Sequence, residues 1–545
     1  MMALTRRTSW VIWTLVLMVM CTPITNGLEE TNPLFWRSEA HDELRAALRS
    51  TEHNTNRAEA VIFFIGDGLG VSTITAARIM KGQRAGAPGE EAKLSFEDFP
   101  HFGYSKTYNT NSQVPDSAGT ATAYLTGVKA KRRTIGLDAG IKNVSVCYPT
   151  TMNHSVDSIL KLAKEAGMAV GFVTTTRVTH ASPAATYAHV PERFWEAALP
   201  EEARQAGCKD IAAQLVESDF DIDVIMGGGR GWLTPYNLSD PVEPDKFGAR
   251  PDGRNLIEEW QARYSQKGIA KYVWNQTEFD RIDPWNTDYL LGLFGYEHLH
   301  YSDDRAQGVG EQPSLAEMME KAIRLLRRKN NRFFLFIEAG RIDHAHHLSL
   351  ASHALSDTIA LEQAVSKAVA LTNDNTLITV TADHGHTLSF AGYQPRGHKI
   401  LDKIFSDERG LPYTTLGYYN GPYNSIVQKS LVETDERPNI TNVNTADSNY
   451  QQQALMFHLY ETHGGEDVAI FSRGPWSHLF HSVHEQNYIM HVMQYAACIG
   501  DYLDRCHTAD PTEGSPVTTP GSGSAFPRSM AWLPLVLYAA TRALE

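Results

Sequence analysis

Continuous apolar runs recur along this chain, and between them lie stretches in which apolar residues repeat every three or four positions. A run without alternation is typical of a strand buried on both faces, as in a parallel sheet. Six runs predict buried parallel strands: Ala60–Ile65, Ala169–Thr175, Asp223–Gly227, Phe333–Ile337, Thr376–Ala382 and Val468–Ser472. Three stretches predict helices: Val156–Gly167, Ser314–Lys329 and Ala354–Leu371. Because strands and helices alternate, we predict an α/β fold with a doubly wound, mostly parallel central sheet and helices on both faces.

Residues 391–460 break this alternation, because they are rich in Tyr, Gly, Pro and Asn. We interpret them as a small inserted, crown-like subdomain. Residues 28–390 and 461–506 are then the two parts of one large domain, and a chain of 545 residues is long enough for a core of that size.

The N-terminus carries a short apolar run beside basic residues. Arg6 and Arg7 precede the run Trp10–Met20, which is too short to span a bilayer comfortably, and small residues follow it. This arrangement is typical of a secretory signal peptide, and we predict one over residues 1–27.

The C-terminal residues 507–545 begin with a segment rich in Pro, Gly, Ser and Thr, for which we predict disorder. The apolar run Met530–Ala540 follows this segment. Small residues, a spacer and a short apolar tail are typical of a GPI-attachment signal, which is removed from the mature protein. We place the attachment at Ser522 or a neighbouring Gly or Ser, and the alternative is an ordinary hydrophobic tail.

Cysteine usage agrees with an exported protein. Cys21 lies in the predicted signal peptide, so four cysteines remain, and they allow three pairings. The last two are close in sequence, which favours the pairs Cys498–Cys506 and Cys147–Cys208. Five N-x-S/T sequons, which must lie at the surface if occupied, occur at Asn143, Asn153, Asn237, Asn275 and Asn439.

The net charge of −14 argues against a nucleic-acid-binding protein, which would need a basic face.

Acids, imidazoles and a hydroxyl follow four of the predicted strands. The residues in these positions are Asp67, His180, Ser182, Glu338, Asp343, Asp383 and His384. Ligands of open α/β sheets bind outside the carboxyl ends of the strands, so these side chains are expected at one edge of the sheet. Solvated loops would have to produce the same coincidence four times. We therefore predict a metal site at this edge.

The segment Gln113–Gly127 predicts a helix of small residues that begins at Ser117, directly after Asp116. A serine at the positive end of a helix lies where an alkoxide or a bound anion is favoured. The alternative is that Ser117, or Asp116 beside it, only caps the helix. The glycines of Gly66–Gly70 lack the spacing of a phosphate-binding loop, and we expect them to turn the backbone so that Asp67 points inward.

Six motifs, two of which overlap the segments above, follow one another along the chain: IGDGLG, PDSAGTATAY, THASPAATYAH, EAGRIDHAHH, TADHGH and THGGEDVAIFSRGP. With these motifs the chain resembles the metazoan alkaline phosphatases of the GPI-anchored type, over nearly all of its mature length. The resemblance implies hydrolysis of small phosphate monoesters to alcohol and inorganic phosphate through a phosphoserine, with two zinc ions and one magnesium ion. It also implies that residues 28–390 and 461–506 form the catalytic domain.

The resemblance assigns a role to each motif residue. Ser117 is the nucleophile, and Arg193 binds the phosphate. The ligands are Asp343, His347 and His463 for one zinc; Asp67, Asp383 and His384 for the other; and Asp67, Ser182 and Glu338 for the magnesium. The residues expected around these ligands are Asp116, His180, His344 and His386. We interpret His346 as a packed or hydrogen-bonded imidazole.

A homodimer is also implied by the resemblance, with Asn32–Ser50 and residues 391–460 at its interface and a GPI anchor on the outer face of the plasma membrane. Two alternatives compete with this function. One is a catalytically inactive GPI-anchored binding protein, which would be expected to lack Ser117, Arg193 or a metal ligand. The other is a phosphodiesterase or sulfatase of the same superfamily, but the residues after Ser117 do not form a sulfatase motif.

The sequence argues against a calcium (Ca²⁺) site of the kind that related vertebrate enzymes carry. Gly295 and Gln312 stand where those enzymes have acids. Glu243 remains as a ligand, and Glu297 or Asp303 is the available substitute for a missing acid.

Overall fold

The computed structural model describes residues 53–405, 410–422 and 437–506, together with residues 35, 37, 40, 41, 44 and 430 singly. The predicted signal peptide, the predicted C-terminal linker and attachment signal with Ser522, and nearly all of Asn32–Ser50 lie outside the described residues. Predictions about these segments are therefore not tested by the structure.

A ten-stranded sheet forms the centre of the described fold. In spatial order its strands are β17 (Ser482–Glu485), β2 (His101–Lys106), β16 (Val468–Arg473), β8 (Thr376–Ala382), β1 (Ala60–Gly66), β7 (Phe333–Ala339), β3 (Ala169–Arg177), β4 (Val224–Gly228), β6 (Tyr289–Leu293) and β5 (Ala270–Val273). Neighbouring strands are parallel, except that β16 is antiparallel to both β8 and β2. The predicted α/β fold with a mostly parallel sheet is confirmed.

Strand β16 corrects one prediction. Val468–Ser472 is a strand, but it is wrong to call it parallel, because Ile470 lies opposite Thr381 on one side and Gly103 on the other in antiparallel register. A continuous apolar run reports burial on both faces, and burial does not decide the direction of a strand. Strands β2, β5, β6 and β17 were not predicted. The residues of β2, β5 and β17 are partly exposed and form no apolar run, whereas β6 is a buried run that the sequence analysis missed.

Helices cover both faces of the sheet. The α-helices of the described residues are α1 (Val71–Arg84), α2 (Ser117–Thr126), α3 (Ile159–Glu165), α4 (Ala181–Ala184), α5 (Glu201–Gln205), α6 (Ile211–Glu217), α7 (Arg230–Leu233), α8 (Leu256–Ser265), α9 (Gln276–Asp280), α10 (Ser302–Ala306), α11 (Leu315–Lys329), α12 (Arg341–His347), α13 (Ala351–Leu371) and α14 (Tyr488–Ala497). Short 3₁₀ helices lie at Ser95–Asp98, Thr151–His154, Pro284–Asn286, Val309–Glu311, Ser477–Phe480 and Gly500–Cys506. One apolar core contains α2, α3, α6, α8 and α14, and the other contains α11 and α13. Phe63 and Phe64 of β1 point into different cores, so the central strand is buried on both faces.

The three predicted helices are present, with starts shifted by their caps. Ser314 precedes α11 and forms a capping box with Glu317. The helix predicted over Val156–Gly167 is shorter, because the Ser158 side chain accepts from Lys161 N–H and so begins α3 at the next residue. Helix α13 begins three residues before the predicted Ala354.

Residues in and directly before the predicted insert form two small sheets. Strands β10 (Leu388–Phe390), β13 (Leu416–Gly421) and β14 (Gln453–Phe457) make one sheet, and β11 (Lys403–Phe405) and β12 (Pro412–Thr414) make the other. Strands β9 (Gly385–His386) and β15 (His463–Gly464) pair beside them. An apolar cluster that includes Leu388, Leu416 and Tyr418 joins these strands to α1 and α13. The boundaries of the subdomain stay a prediction.

Two disulfides link Cys147 to Cys208 and Cys498 to Cys506, which is the pairing that sequence proximity favours. The sequon asparagines are exposed at Asn143, Asn153, Asn237 and Asn439. Asn275 is half-buried, and its side chain caps α9. Within the described ranges, no helix combines the length and the apolar character needed to cross a membrane.

Candidate active site

Four neighbouring strands bring predicted site residues to one edge of the sheet. Strands β8, β1, β7 and β3 lie side by side and run in one direction. Asp67 directly follows β1, Asp383 directly follows β8, and Glu338 is the penultimate residue of β7. Because these strands share a direction, their carboxyl ends deliver the three acids to one place.

Asp67, Asp383 and His384 form a first group, whose ligand atoms lie within 4.8 Å of one another. His384 Nε2 is 3.1 Å from Asp383 Oδ2 and 3.8 Å from Asp67 Oδ1. The backbone N–H of Gly68 donates to Asp383 Oδ1 over 2.9 Å. Gly68 has a φ of 73°, and an added Cβ would lie 2.5 Å from His386 Nε2, so the turn that directs Asp67 inward requires glycine.

Hydrogen bonds reach the carboxylate of Asp383 in this first group, but none reaches that of Asp67. Both oxygens of Asp67 are buried and neither has a hydrogen-bond partner. Burial and the neighbouring Asp383 raise the pKa of Asp67 well above its usual range, and burial raises the pKa of Asp383 to about 6. Buried acids with unpartnered oxygens fit a bound cation, which would supply the missing positive charge.

A second group contains Asp343, His347 and His463, and it is nearer the surface. Asp343 Oδ1 is 3.4 Å from His347 Nε2 and 3.3 Å from His463 Nε2, and the two nitrogens are 3.1 Å apart. Asp343 and His347 lie one turn apart on α12, whereas His463 begins β15. One carboxylate oxygen and two imidazole nitrogens thus converge, which is a donor set that suits a metal ion.

His386 is linked to this second group. Its Nε2 is 2.7 Å from Asp343 Oδ1, and its Nδ1 is 2.5 Å from Glu461 Oε2. Burial opposes a charged ring, but Glu461 and Asp343 outweigh burial and raise the pKa of His386 to about 10. Burial would raise the pKa of Asp343, but the surrounding imidazoles hold it well below its usual range. Glu461, which the sequence analysis missed, also accepts from the N–H and the hydroxyl of Thr387, both over 2.6 Å.

Glu338, Asp67 and His180 form a third group. Glu338 Oε2 accepts from the Thr174 hydroxyl, whereas Oε1 is buried without a hydrogen-bond partner. Burial raises the pKa of Glu338 to about 7, although nearby hydroxyls, among them that of Ser182, oppose this rise. The structure therefore places His180 beside Glu338 and Asp67, and it places Ser182 within reach of Glu338.

His344 lies outside these groups. Its Nδ1 is 3.0 Å from Arg341 Nη1, and its ring centroid is 5.2 Å from that of His180 and 4.2 Å from that of His298. Burial lowers the pKa of both His344 and His180, which keeps these rings neutral. His298 was not singled out in the sequence, although Glu297 directly precedes it, because it lies in none of the six motifs.

His346 is packed rather than directed at the site. Its Nε2 is 3.0 Å from Thr73 Oγ1, and its Nδ1 is 2.8 Å from the Tyr418 hydroxyl. Both ring nitrogens therefore have partners, as the interpretation of a hydrogen-bonded imidazole requires.

The two acids considered as calcium substitutes are paired with arginines. Glu297 Oε1 is 3.0 Å from Arg177 Nη1, and Asp303 Oδ2 is 3.0 Å from Arg84 Nη2. Glu243 belongs to none of the metal-ligating groups found among the described residues. The prediction about calcium stays untested.

Ser117 is the first residue of α2 and is buried beside the first group. Its Oγ lies 3.2 Å from His384 Nε2. Asp116 is the N-cap residue, and its Oδ2 accepts from Ala118 N–H at 3.2 Å and from Arg193 Nη1 at 2.8 Å. Since Asp116 performs the capping, the hydroxyl of Ser117 is left to face the metal-ligating residues. Asp116 thereby holds Arg193 near Ser117, and Arg193 Nη2 lies 3.1 Å from His180 Nε2.

Comparisons with known proteins agree with this arrangement. Residues 58–499 match the sequence model of the alkaline phosphatase family. The tissue-nonspecific alkaline phosphatase of Felis catus is 48% identical over 504 residues, which cover 90% of this chain and 94% of the relative. That of Homo sapiens is 47% identical over 528 residues, which cover 95% and 97%. The alkaline phosphatase of Gadus morhua is 48% identical over 480 residues, which cover 87% and 98%.

Solved structures share the fold at lower identity. The alkaline phosphatase of Thermus thermophilus aligns with a TM-score of 0.58 at 23% identity, covering 83% of this chain and 94% of its own. That of the Antarctic bacterium TAB5 aligns with a TM-score of 0.55 at 20% identity, covering 82% and 100%. The likeness to these structures concerns the fold. The family match spans residues 58–499, which include all three residue groups, and the curated relatives cover most of the chain. The chain therefore belongs to the alkaline phosphatase family.

Proposed function

We propose that this chain hydrolyses phosphate monoesters through a covalent phosphoserine on Ser117. As a member of its family the chain is a phosphate-monoester hydrolase, and the proposal concerns the residues that carry the reaction. The observation that supports it is the position of the Ser117 hydroxyl, 3.2 Å from His384 Nε2. His384 belongs in turn to the group with Asp67 and Asp383, so the hydroxyl is directed at a site built for cations.

Ser117 Oγ attacks phosphorus, the bond between phosphorus and the ester oxygen breaks, and the alcohol leaves with a proton. The positive N-terminus of α2 stabilises negative charge on the attacking oxygen. Arg193 binds the phosphoryl oxygens, and Asp116 orients its guanidinium by accepting from Nη1 over 2.8 Å. Water then replaces Ser117 Oγ at phosphorus, which releases inorganic phosphate and restores the hydroxyl.

We propose two zinc ions and one magnesium ion as the resident metals. The residues that would hold zinc are Asp343, His347 and His463 for one ion and Asp67, Asp383 and His384 for the other. Those that would hold magnesium are Asp67, Ser182 and Glu338. Zinc takes imidazole nitrogen and carboxylate oxygen, whereas magnesium prefers oxygen alone, so the donor types fit this division. Such ions, when bound, stabilise the charge that develops on the attacking and leaving oxygens.

Replacing Ser117 by Ala tests the nucleophile. We expect no phosphoenzyme to be trapped after mixing with labelled substrate, and a loss of about 10³-fold or more in kcat with p-nitrophenyl phosphate. Ser112→Ala, on the same segment but with its hydroxyl bonded to the Val114 carbonyl, is the matched control. A phosphoenzyme that persists in Ser117→Ala would refute the assignment.

Metal analysis tests the cofactors. A chelator should abolish hydrolysis of p-nitrophenyl phosphate, and zinc added together with magnesium should restore it. Full activity in protein that contains no zinc would contradict the proposed zinc sites.

We further propose that the mature protein is a glycosylated homodimer, GPI-anchored at Ser522 or a neighbouring residue on the outer face of the plasma membrane. The apolar run Met530–Ala540 after a polar spacer and the exposed sequons support this proposal. A phosphatidylinositol-specific phospholipase C should release the activity from intact cells, and light scattering should give twice the mass of one subunit. Activity that stays on treated cells would contradict the anchor.

The two alternatives are not favoured. An inactive binding protein would be expected to lack the nucleophile, the arginine or a metal ligand, and each of these residues lies in or beside the groups described above. A phosphodiesterase would prefer bis(p-nitrophenyl) phosphate to p-nitrophenyl phosphate, so comparing kcat/KM for these two esters separates the activities.

A further inference from the structure

An exposed aromatic ring stands beside the arginine proposed to bind phosphate. Phe194 directly follows Arg193 in sequence, and 66% of its surface is exposed. Its ring centroid is 5.8 Å from Arg193 Cζ and 5.1 Å from Arg133 Cζ. Guanidinium groups at these distances attract an aromatic face, so the ring is held in place while most of its surface stays open to solvent.

Backbone hydrogen bonds fix this ring relative to the nucleophile. The N–H of Arg193 donates to the Arg133 carbonyl over 2.9 Å, and Ile135 and Val190 exchange two hydrogen bonds of 2.9 Å each. The N–H of Arg133 donates to the carboxylate of Asp116, the residue that caps the helix of the nucleophile. The segments Arg133–Ile135 and Val190–Arg193 and the start of α2 are therefore joined into one unit, which we call the frame.

Glu192 joins the two sides of this frame. The carboxylate is buried, and its Oε2 lies 2.6 Å from Arg133 Nη2 while its Oε1 accepts from Phe194 N–H over 3.2 Å. Arg133 has a φ of 70°, which a residue other than glycine rarely adopts, and its side chain is 40% exposed. The exposed side chains of Phe194 and Arg133 form what we call the rim. Because Glu192 neutralises Arg133, the rim offers a flat aromatic and guanidinium surface rather than a strong net charge.

We propose that Phe194 and Arg133 bind the alcohol part of the substrate, so that aromatic phosphate monoesters are preferred over aliphatic ones; this inference rests on the proposed function. A planar leaving group stacks on the open part of the Phe194 ring while Arg193 holds the phosphate of the same ester. The distance from the Phe194 ring centroid to Arg193 Cζ is 5.8 Å. Every substrate leaves the same phosphoserine. The contact therefore acts before that intermediate and changes kcat/KM, not the rate at which the phosphoserine is hydrolysed.

The test uses the full, metal-loaded chain with p-nitrophenyl phosphate as the aromatic ester and glycerol 2-phosphate as the aliphatic one. In Phe194→Ala we expect the aromatic-to-aliphatic ratio of kcat/KM to fall about threefold to tenfold, the size of one aromatic stacking contact. Phe194→Tyr keeps a flat ring and should keep the wild-type ratio. Phe247→Ala is the matched control, because Phe247 is 52% exposed on the loop before α8.

An unchanged ratio in Phe194→Ala, or an equal loss for both esters, would overturn the inference. Failure of the proposed function looks different, because a phosphoenzyme would then still form in Ser117→Ala, whatever the ester ratio of Phe194→Ala. Phe194 is a surface residue, so the unfolding temperature of Phe194→Ala should match that of the control. A ratio that falls in the control as well would also overturn the assignment to this rim.

Discussion

The two halves of the site carry opposite electrostatics, although both are built from carboxylates and imidazoles. Asp67, Asp383 and Glu338 lie at strand ends, and burial raises the pKa of each of them. Asp343 lies on a helix, and the imidazoles around it hold its pKa well below the usual range against the effect of burial. In the strand-end half the buried acids repel one another, whereas in the helical half the charge of Asp343 is balanced by imidazoles before any metal binds.

This difference separates two consequences of metal binding. In the strand-end half a cation removes repulsion between buried acids, so metal should add to the free energy of unfolding as well as to activity. In the helical half the imidazoles already balance Asp343, so metal should matter for activity more than for stability. Four experiments test this contrast.

The largest effect is expected from Asp67→Asn, because Asp67 belongs to both the first and the third group. We expect kcat/KM for p-nitrophenyl phosphate to fall by about 10³-fold, as for removal of one strong electrostatic contact in a transition state. The metal-free variant should nevertheless be more stable by roughly 1–2 kcal/mol, since a buried acid without partners is removed. Urea unfolding of metal-free protein measures this, and a destabilised metal-free variant would contradict the contrast.

Asp343→Asn should act in the opposite direction on stability. The change takes one of two carboxylates from the charged ring of His386, and breaking a buried pair costs about 3–5 kcal/mol. Urea unfolding of the metal-free protein again gives the value. Asp374→Asn is the matched control, because that side chain is 92% exposed. Equal stability of the two variants would show that Asp343 is not balanced by its imidazoles.

The free energy of unfolding of the metal-free protein should contain a pH-dependent contribution from Glu338, a buried acid of the strand-end half. Glu338 has a folded-state pKa of about 7 against an ordinary value of 4.5, so the unfolded chain releases this proton first. Stability is therefore present below about pH 4.5 and is lost as pH rises through 7, by about 2–3 kcal/mol. Comparing urea unfolding of metal-free wild type and Glu338→Gln at pH 5 and pH 7.5 isolates this loss, because the buried histidines, whose pKa burial lowers, titrate in the opposite sense in both proteins. The metal-loaded wild type should not show the loss. An equal loss of stability in the metal-loaded protein would show that Glu338 is not its cause.

The smallest effect is expected at His346, which belongs to neither half. Tyr418→Phe removes the hydroxyl that lies 2.8 Å from His346 Nδ1, and a buried hydrogen bond of this kind contributes about 1 kcal/mol. Thermal unfolding should detect this loss, while kcat for p-nitrophenyl phosphate stays at the wild-type value. A large loss of kcat would show that His346 acts in the site.

The fold and the strand-end acids were predictable because each rests on a local signal. A continuous apolar run predicts a doubly buried strand, and the residue after it points to the ligand-binding edge, which places Asp67 and Asp383. The direction of β16 was not predictable, because it depends on which strands lie on either side. Strand β2 and the edge strand β17 escaped notice because their exposed residues break the apolar run.

The residues that hold the site together were harder to predict. Glu461 reaches His386 from 75 positions away in sequence, and Arg133 reaches Asp116 through a backbone N–H that any residue would supply. Neither contact leaves a spacing or a composition that marks it. The resemblance to a known family named the residues that contact metal and phosphate, whereas these supporting contacts required the three-dimensional structure.

Strand β16 also has a consequence for how the protein is made. It lies between β8 and β2, and His463, a few residues before it, completes the helical half of the site. A nascent chain that ends before His463 exposes two strand edges and carries an incomplete site. The sheet therefore closes only when almost the whole catalytic domain has left the ribosome, so truncated products should aggregate rather than accumulate as partly active enzyme.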